Sequence, residues 1–215
     1  ALQGPKAMDI LRKLTVEEDI PAKYYHAVFG GVVAGIPCVV SKTGYTGEDG
    51  VELYVAADKV VELWQKIMEA GAEDGLLPCG LGARDTLRME AGMPLYGHEM
   101  DETVSPLETG LGFAVKMNKD DFIGKAALEA PAARERVGLK VTGRGIIREA
   151  QEVFVGEEKV GMTTSGTHCP FLGHPVAMAL VEKGRLQVGD SVEVVVRGRR
   201  VAAEVVGVPF YKRAK

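Results

Sequence analysis

VEVVVRGRRVAAEVV, Val192 to Val206, sets two valine-rich runs on either side of Arg197-Gly198-Arg199. β-Branched side chains suit a pleated strand, and a short glycine-bearing break between two such runs is a hairpin signal. The same pattern recurs upstream. Gly156 to Lys159 parts two valine-bearing runs, and Gly189-Asp190 forms a turn signal just before the quoted hairpin. From Val137 onward, short strands at this spacing predict a small all-β barrel or sandwich, with Pro131 marking its boundary.

Towards the N-terminus the period changes. Asp121 to Leu128 predicts a short helix, and Leu81 to Glu90 a longer one, stopped by Gly92 and Pro94. Val60, Val61, Leu63, Trp64, Ile67 and Met68 recur at helical spacing, with Asp58 as the expected N-cap and Gly71 as the expected left-handed C-cap. Between Tyr24 and Val55, β-branched and aromatic clusters broken by Gly30-Gly31 and GYTGEDG predict an antiparallel meander. Ala7, Ile10, Leu11 and Leu14 predict an amphipathic helix from Pro5 to Leu14. The fold class is therefore α+β: an antiparallel sheet with helices, incomplete as a domain, followed by an all-β barrel-like domain.

Bulk properties narrow the function classes. With 46% apolar and 26% charged residues over 215 positions, the chain is expected to fold rather than stay disordered. A net charge of -4, with basic clusters only at Arg197 to Arg200 and in the tail Lys212-Arg213-Ala214-Lys215, argues against nucleic-acid binding. The longest apolar runs are strand-sized, well short of the roughly 20 residues that a helical membrane span needs. Three cysteines, Cys38, Cys79 and Cys169, are widely spaced and odd in number, which disfavours a disulfide framework and fits a reducing compartment. The opening ALQGPKAMDILRKL has neither an initiator Met nor the apolar core of a signal peptide, as expected of a piece of something longer.

The stretch SKTGYTGEDGVELYV, Ser41 to Val55, holds the most chemical information. Its glycines let backbone approach a ligand closely, and in the strand that follows Val51, Leu53 and Val55 face one way while Glu52 and Tyr54 face the other. On pattern alone Glu52 faces solvent. In GLGARDTLRMEAG, Arg84 and Arg88 share one helix face. That arrangement suits an anion or a set of carbonyls, although on pattern alone the commoner reading is exposed ion pairing through Asp85 and Glu90. GLGARD and GLGFAV fail to complete a dinucleotide-binding motif. His168, Cys169 and His174 lack helical spacing and a fourth ligand, so they read as a turn rather than a metal site. His26 and His98 have no acid or nucleophile paired with them in sequence, and Tyr45, Tyr96 and Phe113 read as packing residues.

The strings ALQGPKA, GIPCVVSKTGYTGEDGVELYV and CGLGARDTLRMEAGMPLYGHEMDETVSPLETGLGFAVK, followed by TSGTHCPFLGHPVAMALV and VPFYK, together resemble the glycine-cleavage T-protein family along the whole chain. The resemblance implies an aminomethyltransferase. It would take the aminomethyl group from the lipoyl arm of H-protein, pass the one-carbon unit to tetrahydrofolate and release ammonia. It implies a folate pocket between three domains, with the pterin held by a glutamate at Glu52, the pocket completed by an arginine at Arg84 and lined by Tyr45, and a basic C-terminal contact at Lys212, next to Arg213. A carboxylate matches the amino and ring N–H edge of a pterin when it is ionised and accepts only. Cys169 stands where a serine is usual, a change expected to be neutral for packing.

The family's reacting aspartate has no counterpart in these residues, so no catalytic residue and no metal ligand is assigned within them. The implied domains are residues 1–98 as the C-terminal half of the folate-binding first domain, 99–132 as a linker with a short helix, and 133–215 as the C-terminal barrel. Exposed apolar surface on the first part is expected to drive self-association or rearrangement, and turnover by these residues alone is not expected. Partners are H-protein and folate, with no nucleic acid and no membrane. The setting is the bacterial cytoplasm, or the mitochondrial matrix in a eukaryote. Competing readings are a related folate-binding demethylase or amine-oxidase domain, and a non-catalytic folate-binding module.

Overall fold

The structure, a computed structural model, describes residues 1–213, which form two units: Ala1–Arg84 with Arg213, and Asp85–Lys212. The first contains β1 (Leu2–Gln3), α1 (Ala7–Arg12), β2 (Ala27–Val33), β3 (Ile36–Ser41), β4 (Gly50–Val55) and α2 (Val60–Gly71). Its sheet has the order β1-β4-β3-β2, and all pairings are antiparallel. The expected meander is present. Its β2–β3 turn is the two-residue kind whose central residues both need positive φ, here Ala34 at 54° and Gly35 at 77°.

Period-2 alternation sends Ile36, Cys38, Val40 and Val51 to one face, where they meet Ile10 and Leu11 of α1 and Leu63 of α2 in one buried core. The opposite face carries Tyr54, which is exposed, and Glu52, which is half-buried. β1 was not foreseen: two residues are too few to show a period, and its placement comes from pairing Leu2 with Val51 and Gln3 with Gly50. The outer side of α2 exposes Val60, Val61 and Trp64, so the helix is apolar on two sides.

Three local expectations are corrected. Asp58 does not cap α2. It lies inside a 3-10 turn, Ala57–Lys59, and the residue at the N-cap, Lys59, makes no side-chain capping bond, its Nζ reaching Glu62 instead. Gly71 is not left-handed (φ -92°); the chain runs on through a further 3-10 turn, Ala72–Asp74, to Gly75 at φ 79°. Gly71 is required instead because Leu76 folds back over it, and a Cβ there would lie 2.6 Å from the leucine side chain. The first helix is also shorter than expected, at Ala7–Arg12.

α3 (Leu81–Glu90) has the expected bounds, and the division between units falls inside it. The predicted helix over Asp121 to Leu128 shrinks to α4 (Lys125–Leu128), because Gly124 before it is left-handed at φ 89°. Six strands then follow: β5 (Arg134–Val141), β6 (Glu152–Val155), β7 (Glu158–Cys169), β8 (His174–Glu182), β9 (Ser191–Val196) and β10 (Arg199–Val206). They close into an antiparallel barrel in the order β10-β5-β8-β7-β6-β9. Arg197 (φ 50°) and Gly198 (φ 76°) make the predicted turn of the quoted hairpin.

Inward-facing Leu139, Val153, Ala177, Ala179, Val181, Val194 and Val205 belong to the buried barrel core. The alternate residues of β8, Val176 and Met178, pack with Met89 of α3 and Cys169 in a second cluster. Burial on both faces explains why β8 reads as an unbroken apolar run. Among the described residues no helix is long and apolar enough to cross a membrane.

Candidate functional site

The loop between β3 and β4 is shaped by Gln3. Its amide Nε2 donates to the carbonyls of Thr43 (3.1 Å) and Val51 (3.3 Å), and its Oε1 accepts from the Thr46 hydroxyl (3.1 Å). A Cβ at Gly44 would come within 2.0 Å of Gln3 Oε1, and one at Gly50 within 2.3 Å of the Leu2 carbonyl. These two glycines therefore answer to the close passage of β1, while Gly47 supplies a positive φ of 78°. A side chain from the edge strand beside β4 thus fixes the loop.

Within this frame Glu52 lies opposite Ser41 across the β3–β4 ladder. The Thr43 hydroxyl donates to Glu52 Oε2 at 2.5 Å, and Ser41 Oγ lies 3.0 Å from Thr43 Oγ1. Tyr45 follows two residues along the loop, and the Arg84 guanidinium sits 4.7 Å from its ring centroid. That contact is a cation–π attraction and limits where the fork of donors can point. Three of the sequence-derived site residues, Glu52, Tyr45 and Arg84, thus share one unit, and Arg84 touches Tyr45.

Lys212 is exposed and belongs to the other unit, whereas Arg213 belongs to the unit of Glu52 and pairs with Asp49 of the loop at 2.6 Å. The pairing raises the guanidinium's affinity for its proton. Tyr24, half-buried and edge-on to Tyr25 at 5.0 Å, has its phenol pKa pushed up chiefly by burial, with Tyr25 next; Asp49 and Glu52 add to the rise and Arg213 opposes it. Sequence reading gave Tyr24 and Gln3 no role, since only the fold brings them to this loop.

Arg84 and Arg88, expected to aim alike, have different surroundings. Arg88 is only 3% exposed and donates to Asp85 Oδ1 (2.9 Å), Glu99 Oε2 (3.0 Å), the Met93 carbonyl (3.3 Å) and Ser165 Oγ (3.0 Å). Glu99 Oε2 also accepts from the Leu95 N–H, while its Oε1 is buried with no partner among the described residues. Glu90 is taken up by the Phe171 N–H rather than by an arginine. Arg88 is therefore a buried structural cation.

His98, read as solitary, meets Glu149 at 2.6 Å. His168 and Cys169 are neighbours in β7, so one points to solvent and the other into the core, where burial pushes the thiol up to about 12. His174 Nδ1 lies 2.8 Å from the Leu172 carbonyl. Among the described residues no group of three His, Cys, Asp or Glu side chains converges as a metal cage.

Comparison with known proteins places this geometry among relatives. Residues 1–119 match the GCVT N-terminal domain, and residues 134–212 match the glycine cleavage T-protein C-terminal barrel domain. Proteins named aminomethyltransferase from Bacillus cereus (strain AH187) and Bacillus mycoides (strain KBAB4) are each 50% identical over 220 aligned residues, covering 100% of this chain and 60% of the relative. The chain thus spans 60% of the length of these relatives. The crystal structure of glycine cleavage system aminomethyltransferase T from Bartonella henselae superposes with a TM-score of 0.75 at 33% identity, covering 81% of this chain and 50% of that one.

Proposed function

The chain belongs to the glycine cleavage T-protein family, and from that premise we propose that it contributes the folate-side groups of a tetrahydrofolate-dependent aminomethyltransferase. The reaction moves the aminomethyl carbon from the lipoyl arm of H-protein to tetrahydrofolate and frees ammonia. It is proposed for the protein at the length of its relatives, with residues 1–98 in the folate-binding domain, 99–132 as connector and 133–215 as the barrel domain. These residues alone are proposed to bind without turning over.

The observation that supports this reading is the placement of Glu52 on the face of β4 opposite the core, tethered through one oxygen by Thr43, in the same unit as the Arg84–Tyr45 pair. A tethered carboxylate offers acceptors to two adjacent N–H groups of a pterin, and Arg84 offers a fork of donors to the ligand's carbonyls or carboxylates. Lys212 is proposed as the basic contact to the folate tail. Bringing the two substrates together supplies much of the rate. The outward face of α2 is proposed as the self-association surface, and a reducing, cytoplasmic setting suits three free cysteines.

The test is turnover at relatives' length with aminomethylated H-protein as donor. Methylenetetrahydrofolate and ammonia should form in equal amounts and only with that donor. Turnover of a small N-methyl amine in its place would assign the demethylase reading instead.

A further inference from the structure

We propose that Thr43 is a positioning residue for Glu52, the middle link of a hydroxyl chain that sets the carboxylate before folate arrives. The inference rests on the reading of Glu52 as the pterin-binding carboxylate. An ionised carboxylate can only accept, so the proton of the 2.5 Å Thr43–Glu52 contact belongs to Thr43. With its own proton committed, Thr43 Oγ1 accepts from Ser41 across 3.0 Å. The direction of the chain is therefore fixed: Ser41 to Thr43 to Glu52.

The start and the middle of this chain are held. Ser41 is the cross-strand partner of Glu52 in the β3–β4 ladder, and the Thr43 carbonyl is held by Gln3 Nε2 at 3.1 Å. Thr43 fills one of the carboxylate's roughly four acceptor sites and leaves the others for a ligand. A glutamate on a half-exposed strand face otherwise samples several rotamers, and binding must then bear the cost of ordering it. A preset rotamer removes that cost.

The experiment is tetrahydrofolate titration of the chain and of Thr43→Val, Thr43→Ser, Glu52→Gln and the double variant Thr43→Val/Glu52→Gln, alongside a crystal structure of Thr43→Val. Loss of one bond to a charged group predicts roughly tenfold weaker binding for Thr43→Val. Thr43→Ser should restore affinity to within about twofold. In the Glu52→Gln background the valine should cost nothing further, which a purely structural role for Thr43 would not produce. Equal affinity of Thr43→Val and the unmodified chain, with Glu52→Gln weakened, overturns the positioning role alone. Unchanged affinity of Glu52→Gln overturns the underlying assignment of Glu52. Should the chain take up no tetrahydrofolate, the crystal structure decides: a displaced Glu52 carboxylate supports the proposal, and one that stays in place contradicts it.

Discussion

Glu108 shows how single residues hold the second unit together. It is 6% exposed, and both its oxygens accept from Arg134: Nε at 2.9 Å on Oε1 and Nη2 at 3.0 Å on Oε2, with the Arg134 and Ser105 amides adding further bonds. The Arg134 bonds hold its carboxyl below the usual glutamate range, and burial opposes them. A depressed native pKa means that the stabilisation is complete above the unfolded value and lost as pH falls through the native one. Glu108→Gln should therefore cost about 1–3 kcal/mol at pH 7, a difference that shrinks steadily as pH falls below about 4. Denaturant melts of both proteins across this range check the expectation; a gap independent of pH would contradict it. The same scale shows why the site was only partly legible. Glu52, Tyr45 and Arg84 lie in dense local motifs, and the Arg88–Asp85 pair is within helix reach, whereas Arg88's other side-chain partners, Glu99 and Ser165, lie 11 and 77 residues away, beyond the reach of helix-face reasoning.

Among the elements, the barrel strands were the most readable, because Gly-Asp and Arg-Gly turns between valine runs are local signals with one structural outcome. Helix ends read less well. The caps assigned to Asp58 and Gly71 failed where 3-10 turns extend the helix at both ends, and at the C-terminal end Leu76 packing rather than capping chemistry decides the course of the chain. β1 was invisible for want of length. Strand glycines carry a further lesson: Gly161 in β7 faces β8 so closely that a Cβ would lie 2.3 Å from the Leu180 carbonyl and 2.8 Å from Val181 Cα. Because backbone cannot yield as a side-chain tip does, Gly161→Ala should destabilise the barrel by about 1–3 kcal/mol or more. Thermal unfolding checks this, and an unchanged midpoint would show that the strands part more easily than their pairing implies.

At the scale of the whole molecule, the first unit leaves large apolar side chains in solvent, with Phe29 82%, Leu81 84% and Trp64 54% exposed. Single exposed apolar residues are ordinary, but Val60, Val61 and Trp64 form a contiguous stripe on one helix. Trp64→Glu should reduce concentration-dependent association in sedimentation velocity while leaving the unfolding midpoint within about 0.5 kcal/mol of the parent, since the ring is half in water already. Association that is unaffected would move the contact elsewhere. The central claim, that this chain carries the pterin-recognising carboxylate, is tested most directly by calorimetric titration of tetrahydrofolate into the chain beside its Glu52→Gln variant, which keeps the shape and loses the charged acceptor. Binding that weakens by at least tenfold in the variant is the predicted result; the same affinity in both would contradict the claim.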